Sequence, residues 1–157
     1  MRKYLKVSLL ISIIIMISFI WSNSLKSPNE SVKQSGEVAK VIETIITHNG
    51  QKQLSGFGSW IIENVRKIAH FVEFFSLAVL ITTYIALFYS EKKFNYSYVS
   101  LVIIVAIIDE IIQIFTNRGA MVIDVLIDSA GGLLGFIFVV FIKCILYIIK
   151  NKRKNYE

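Results

Sequence analysis

The sequence predicts an all-α protein, a bundle of four membrane-spanning helices with the N-terminus and C-terminus both cytoplasmic. Three observations carry this expectation. Hydrophobic residues make up 55% of the 157, above the roughly 45–50% of a soluble domain. Mean hydropathy is +0.63, and the excess is gathered in long blocks rather than spread along amphipathic stretches. Lysine and arginine flank those blocks, as the positive-inside rule requires.

A spanning helix needs about 20 mostly apolar residues. The first block, Val7–Trp21 with an extension back to about Leu5, has no charge after Lys6. The other three spans are expected at about 68–89, 97–115 and 122–149. With the first end inside, the cytoplasmic segments hold Arg2, Lys3 and Lys6, then Lys92 and Lys93, then Lys150, Lys152, Arg153 and Lys154. The outer loop 22–67 has six basic residues over a far longer stretch, and the second outer turn has only Arg118. Arg2, Lys3 and Lys6 before an apolar run also describe a signal peptide. The Trp21-Ser22-Asn23-Ser24 segment lacks a small-residue cleavage pattern, so an uncleaved helix is expected. One domain over 1–157 is expected, with no room for a second.

Within the outer loop, Val38, Val41, Ile42, Ile45 and Ile46 follow helical spacing among charges, which predicts a short amphipathic helix over Ser31–Thr47 on the membrane surface. The stretch Ser55-Gly56-Phe57-Gly58-Ser59 is expected to break it, with Trp60 at the interface. His48 reads as solvated surface. The single cysteine, Cys144, excludes an internal disulfide and four-cysteine metal sites. The net charge of +6 belongs to the flanks of the spans, so no nucleic-acid partner is expected and the lipid bilayer is the implied one. The spacing calls for no cofactor and displays no metal-ligand motif.

Ionisable groups inside a bilayer are expensive and mark functional candidates. At 1.5 Å rise per residue, His70 and Glu73 lie about 3 and 8 Å below the outer end of the second span. Asp109 and Gln113 lie about 9 and 3 Å below that of the third, and Asp124 and Asp128 about 3 and 9 Å down the fourth. Arg66, His70, Glu73 and Leu77 share one helical face, as do Asp109 and Gln113, with Glu110 three residues from Gln113. Asp124 and Asp128 continue into Gly131 and Gly135, a small-residue stripe that lets another helix approach. These facings predict one outward-facing polar pocket formed by the second, third and fourth spans. It contains five acidic groups against Arg66, Lys67 and Arg118, a net of −2 with His70 neutral. Lys67 and Glu110 are the two members whose helical position also suits facing away.

At these residues the sequence resembles the VanZ-like family of bacterial integral membrane proteins. The carrying motifs are Arg66-Lys67-Ile68-Ala69-His70-Phe71-Val72-Glu73-Phe74, then Asp109-Glu110-Ile111-Ile112-Gln113-Ile114-Phe115 with Arg118, then Asp124, Asp128, Gly131 and Gly135. Ser22-Asn23-Ser24 is similar to that family's serine-bearing segment. Two residues depart: Asn23 stands where the family often has Gln, and Asp128 where it often has Asn. The resemblance implies a multi-pass protein of the bacterial plasma membrane, related to a teicoplanin-resistance determinant.

Three mechanisms are open at this point. In the first, the pocket binds or excludes a lipid-linked envelope precursor or a lipoglycopeptide, with Arg66, Lys67, Glu110, Gln113, Arg118, Asp124 and Asp128 as binding groups. In the second, His70, Glu73 and Asp109 are an acid–base set acting on a lipid-linked substrate, where one histidine with several carboxylates would also suit a divalent ion. In the third, the carboxylates relay protons or cations, although apolar inner halves of the spans weigh against it.

Overall fold

The computed structural model describes residues 2–47, 56–89, 97–117 and 122–154. Among them every regular element is an α-helix: α1 (Arg2–Ser24), α2 (Pro28–Thr47), α3 (Gly56–Glu63), α4 (Val65–Phe88), α5 (Ser97–Phe115) and α6 (Val122–Lys154). Helices are the solution for chains in lipid, because each backbone N–H and C=O finds its partner within the segment.

Three of them, α1, α4 and α6, are long and apolar enough to cross a membrane among the described residues. The count differs from the four expected. The fourth expected span corresponds to α5. It nevertheless packs into the same bundle, against α1, α4 and α6.

Helix α4 is the centre of the bundle and makes its broadest contact with α6. The two run parallel, Gly131 against the Phe71 carbonyl and Gly135 against the Phe75 carbonyl. A Cβ at either position would collide with that backbone oxygen, so glycine sets the distance between the helices, as the small-residue stripe implied. Helix α1 runs antiparallel to α4. Arg2 donates to the Leu87 carbonyl in the last turn of α4 (3.2 Å), where the carbonyl end of the helix dipole favours a cation. Lys6 lies over the Tyr89 ring, 5.6 Å from its centroid.

The core is a narrow seam of Ile13 and Ile20 from α1, Phe74, Leu77, Ala78, Ile81 and Ile85 from α4, and Val102, Val105 and Ala106 from α5. Outside it, large apolar side chains are exposed along every long helix, among them Ile14, Ile15, Phe19, Ile104, Leu134 and Phe141. A surface of this kind is unstable in water and suited to lipid. Helix α6, at 33 residues, is about 50 Å long. Its exposed last turns carry Lys150 and Lys152 to the end of the bundle where Arg2 and Lys6 lie.

The amphipathic helix expected in the 22–67 loop is present and starts earlier than expected, at Pro28. Ser27 and Glu30 form a capping box ahead of it. The Glu30 carboxylate accepts from the Ser27 amide (2.9 Å) and hydroxyl (2.7 Å), and the Glu30 amide donates back to that hydroxyl (3.4 Å). Those two donors hold the Glu30 carboxyl below its ordinary range. Ser-Pro-Asn-Glu is a legible start signal, with proline at the first helical position where its missing N–H costs nothing. The glycine-rich stretch is a correction: from Gly56 it is the short helix α3 rather than a break, with Phe57 stacked on Trp60 at 6.3 Å. Ser55, His48, Lys92 and Lys93 lie outside the described residues.

Candidate functional site

On each inner helix the buried face is apolar toward one end and turns polar at the same level toward the other. On α4 the stripe Ile85, Ile81, Leu77 and Phe74 continues into Glu73, His70 and Arg66. On α5, Val102, Val105 and Ala106 lead to Asp109, Glu110 and Gln113. On α6 the glycines lead back to Asp128 and Asp124. Since 3.6-residue periodicity keeps these positions on one face, packing the apolar halves brings the polar halves together.

The centre is His70. Its Nδ1 lies 3.9 Å from Glu73 Oε2, 3.8 Å from Asp109 Oδ2 and 4.0 Å from Asp128 Oδ1. Three helices therefore converge on one imidazole nitrogen. Asp109 and Asp128 are fully buried and Glu110 nearly so. Asp109, Glu110, Asp124 and Glu73 all act electrostatically on Asp128.

Two hydrogen-bonded arms run outward, each with a cation outside, an amide between and a carboxylate inside. In one, Arg66 donates to Gln113 Oε1 (2.9 Å) and Gln113 Nε2 donates to Asp109 Oδ2 (2.8 Å). In the other, Lys26 donates to Asn23 Oδ1 (2.8 Å) and Asn23 Nδ2 donates to Glu73 Oε1 (2.9 Å). Each amide leaves its carboxylate an acceptor and fixes its orientation. Asn117 closes α5 just beyond this level in the left-handed region, φ 55°, which asparagine tolerates better than other side chains.

A cavity of about 100 Å³ leads to the cluster from the side of α2, lined by Asn23, Ser31, Gln34, Arg66, His70 and Glu73 among others. Helix α2 turns Ser31, Ser35 and Val38 to this cavity, while its charged residues Lys33, Glu37, Lys40 and Glu43 and its apolar Val32, Val41 and Ile45 are exposed.

The structure brings together His70, Glu73, Asp109, Glu110, Gln113 and Asp128 from the expected site, with Arg66 and the half-buried Asp124 at its edge. It does not bring in Lys67, which is exposed. Arg118 lies outside the described residues. The expectation of a pocket made by three spans is too narrow, because α1 contributes Asn23 and Ser24, the turn after it contributes Lys26, and α2 forms the mouth. The available signal was the polar Ser22-Asn23-Ser24-Leu25-Lys26 segment directly after the first apolar block. What concealed the α2 contribution is that small residues, Ser31 and Ser35, line the cavity, while the charged residues that mark the polar face of the helix are exposed.

An all-helical bundle with three membrane-length apolar helices and a buried histidine–carboxylate cluster at one end is the architecture of an integral membrane protein. The chain belongs to the VanZ/LLP1 family, whose model matches residues 9–144. That match takes in α1 from residue 9 onward, the whole cluster and the glycine stripe. No curated protein and no solved structure matches the chain.

Proposed function

We propose that this chain is a multi-pass protein of the bacterial plasma membrane, with α1, α4, α5 and α6 as its four spans and both ends cytoplasmic. In this reading the His70 cluster faces outward, binds the head group of an envelope amphiphile and thereby lowers susceptibility to lipoglycopeptides of the teicoplanin type. The observation that carries it is the buried His70–carboxylate cluster at the head of a cavity that opens between α2 and α4. Buried ionisable groups within a membrane bundle mark sites of function by default. The orientation is supported by Arg2, Lys6, Lys150 and Lys152 at the opposite end. The exposed apolar residues of α2 suit an interfacial helix, which lets an acyl-bearing ligand enter sideways with its head group toward His70. The cations on offer to an anionic head group are Arg66 and Lys26, with Lys67 exposed on α4.

A second reading is favoured by one observation, that His70 Nδ1 faces three carboxylates at once. Such a set serves acid–base catalysis on a lipid-linked substrate. Transport of protons or cations has less support, because the buried seam below the cluster is apolar apart from Thr82.

Expression in a susceptible bacterium is expected to raise the inhibitory concentration of teicoplanin and not of vancomycin, and Asp109→Asn at matched protein levels is expected to abolish the rise. No rise with the native chain rejects the defence reading. Glu73→Gln separates the two chemistries: it preserves shape, so binding weakens while catalysis is lost. For topology, a reporter joined after Glu157 is expected to be protected from external protease in intact spheroplasts. Its digestion would reverse the orientation.

A further inference from the structure

We propose that His70, Asp109 and Asp128, with Glu73 closing the fourth side, bind a divalent cation of the zinc or manganese kind. This deepens the reading above and rests on its placement of the working site at His70.

One potential ligand atom from each of His70, Asp109 and Asp128 lies within 4.8 Å of the others. The separations from His70 Nδ1, 3.8 to 4.0 Å, are too long for hydrogen bonds. They match a coordination shell better. Ligands held about 2.1 Å from an ion lie roughly 3.0–3.4 Å apart when adjacent and about 4.2 Å when opposite. Small side-chain rotations close the difference.

Asp128 supplies the independent observation. It is 0% exposed, and neither of its carboxylate oxygens has a hydrogen-bond partner among the described residues. A buried carboxylate without a donor is strongly unfavourable unless it takes up a proton or a cation. Its Oδ1 lies toward His70, so a cation between them would bond both.

The surroundings fit as well. Gln113 holds Asp109 and Asn23 holds Glu73 by amide donors, each oriented by a cation farther out. Outer hydrogen bonds of this sort fix metal-binding carboxylates in place. One imidazole with carboxylate oxygens suits zinc or manganese, and there is no thiolate to draw a softer ion: Cys144 is exposed on α6, more than four turns beyond Asp128.

The test uses the full chain purified in detergent, stripped with chelator and titrated with Zn2+, Mn2+, Mg2+ and Ca2+ by calorimetry, with bound metal counted by mass spectrometry. The expected result is about one Zn2+ or Mn2+ per chain, with Asp128→Asn and His70→Gln each weakening binding at least ~10-fold. Glu37→Gln, an exposed carboxylate on α2, is expected to change nothing. Pulsed electron paramagnetic resonance of the Mn2+ form should show one nitrogen coupling, absent in His70→Gln, which separates lost ligation from lost folding. Absence of stoichiometric binding to the native chain overturns the proposal, as does binding that survives both substitutions. Metal binding with no effect of those substitutions on teicoplanin susceptibility upholds the metal site and rejects the defence reading. Lost susceptibility effects without metal binding do the reverse.

Discussion

Replacing His70 by glutamine is expected to return a cell expressing this protein to the teicoplanin susceptibility of one that lacks it, with little loss of protein from the membrane. Glutamine has comparable length and keeps a polar end within reach of the carboxylates. What it cannot do is carry a proton at neutral pH or ligate a metal as imidazole does. His70 lies within about 4 Å of Glu73, Asp109 and Asp128 together, so its loss disconnects all three. The measurement is inhibitory concentration at protein levels matched by immunoblot. Retained protection in His70→Gln would place the working groups elsewhere.

Gly131→Val is expected to destabilise the bundle by about 3 kcal/mol, at the upper end for overpacking. The reason is what the new side chain meets: its Cβ would lie on the Phe71 carbonyl oxygen, which is helix backbone and cannot rotate away. Relief requires α6 to move off α4, and that carries Asp128 away from His70. Gly135→Leu should act alike through the Phe75 carbonyl and Ala78. Gly36 on α2 is the contrast, with nothing within 4 Å of a Cβ. Gly36→Ala is expected to stabilise α2 by about 0.5–1 kcal/mol through helix propensity. Thermal unfolding in detergent reads all three. A Gly131→Val protein that melts with the native one would mean that α4 and α6 are not held at this distance.

The chemistry of the cluster explains why the two departures from the family pattern fall where they do. Asn23 has one methylene fewer than glutamine and still bridges Lys26 to Glu73, because α1 and α4 are close at this level. Asp128 adds a carboxylate to a buried group already holding Glu73, Asp109 and Glu110. An asparagine there would bring its own donor and reduce the demand for a cation.

By itself the sequence determined the class of the protein and the level at which its polar side chains gather. Long apolar blocks leave no alternative to helices, because lipid offers the backbone no partners. Ionisable residues at matched depths on separate helices have to meet, since each is costly alone. The amphipathic helix of the 22–67 loop and the glycine stripe were legible for the same local reasons. Tertiary structure alone decided which groups touch. Glu110 and Lys67 differ in helical position by an amount that periodicity cannot assign, and packing buried the first and exposed the second. That α1 joins the site through Asn23, and that α2 sets Ser31 and Ser35 at the cavity, depend on contacts between segments far apart in the chain, 50 residues for Asn23 and Glu73. Helical periodicity specifies a face, but only the neighbouring helices specify what that face meets.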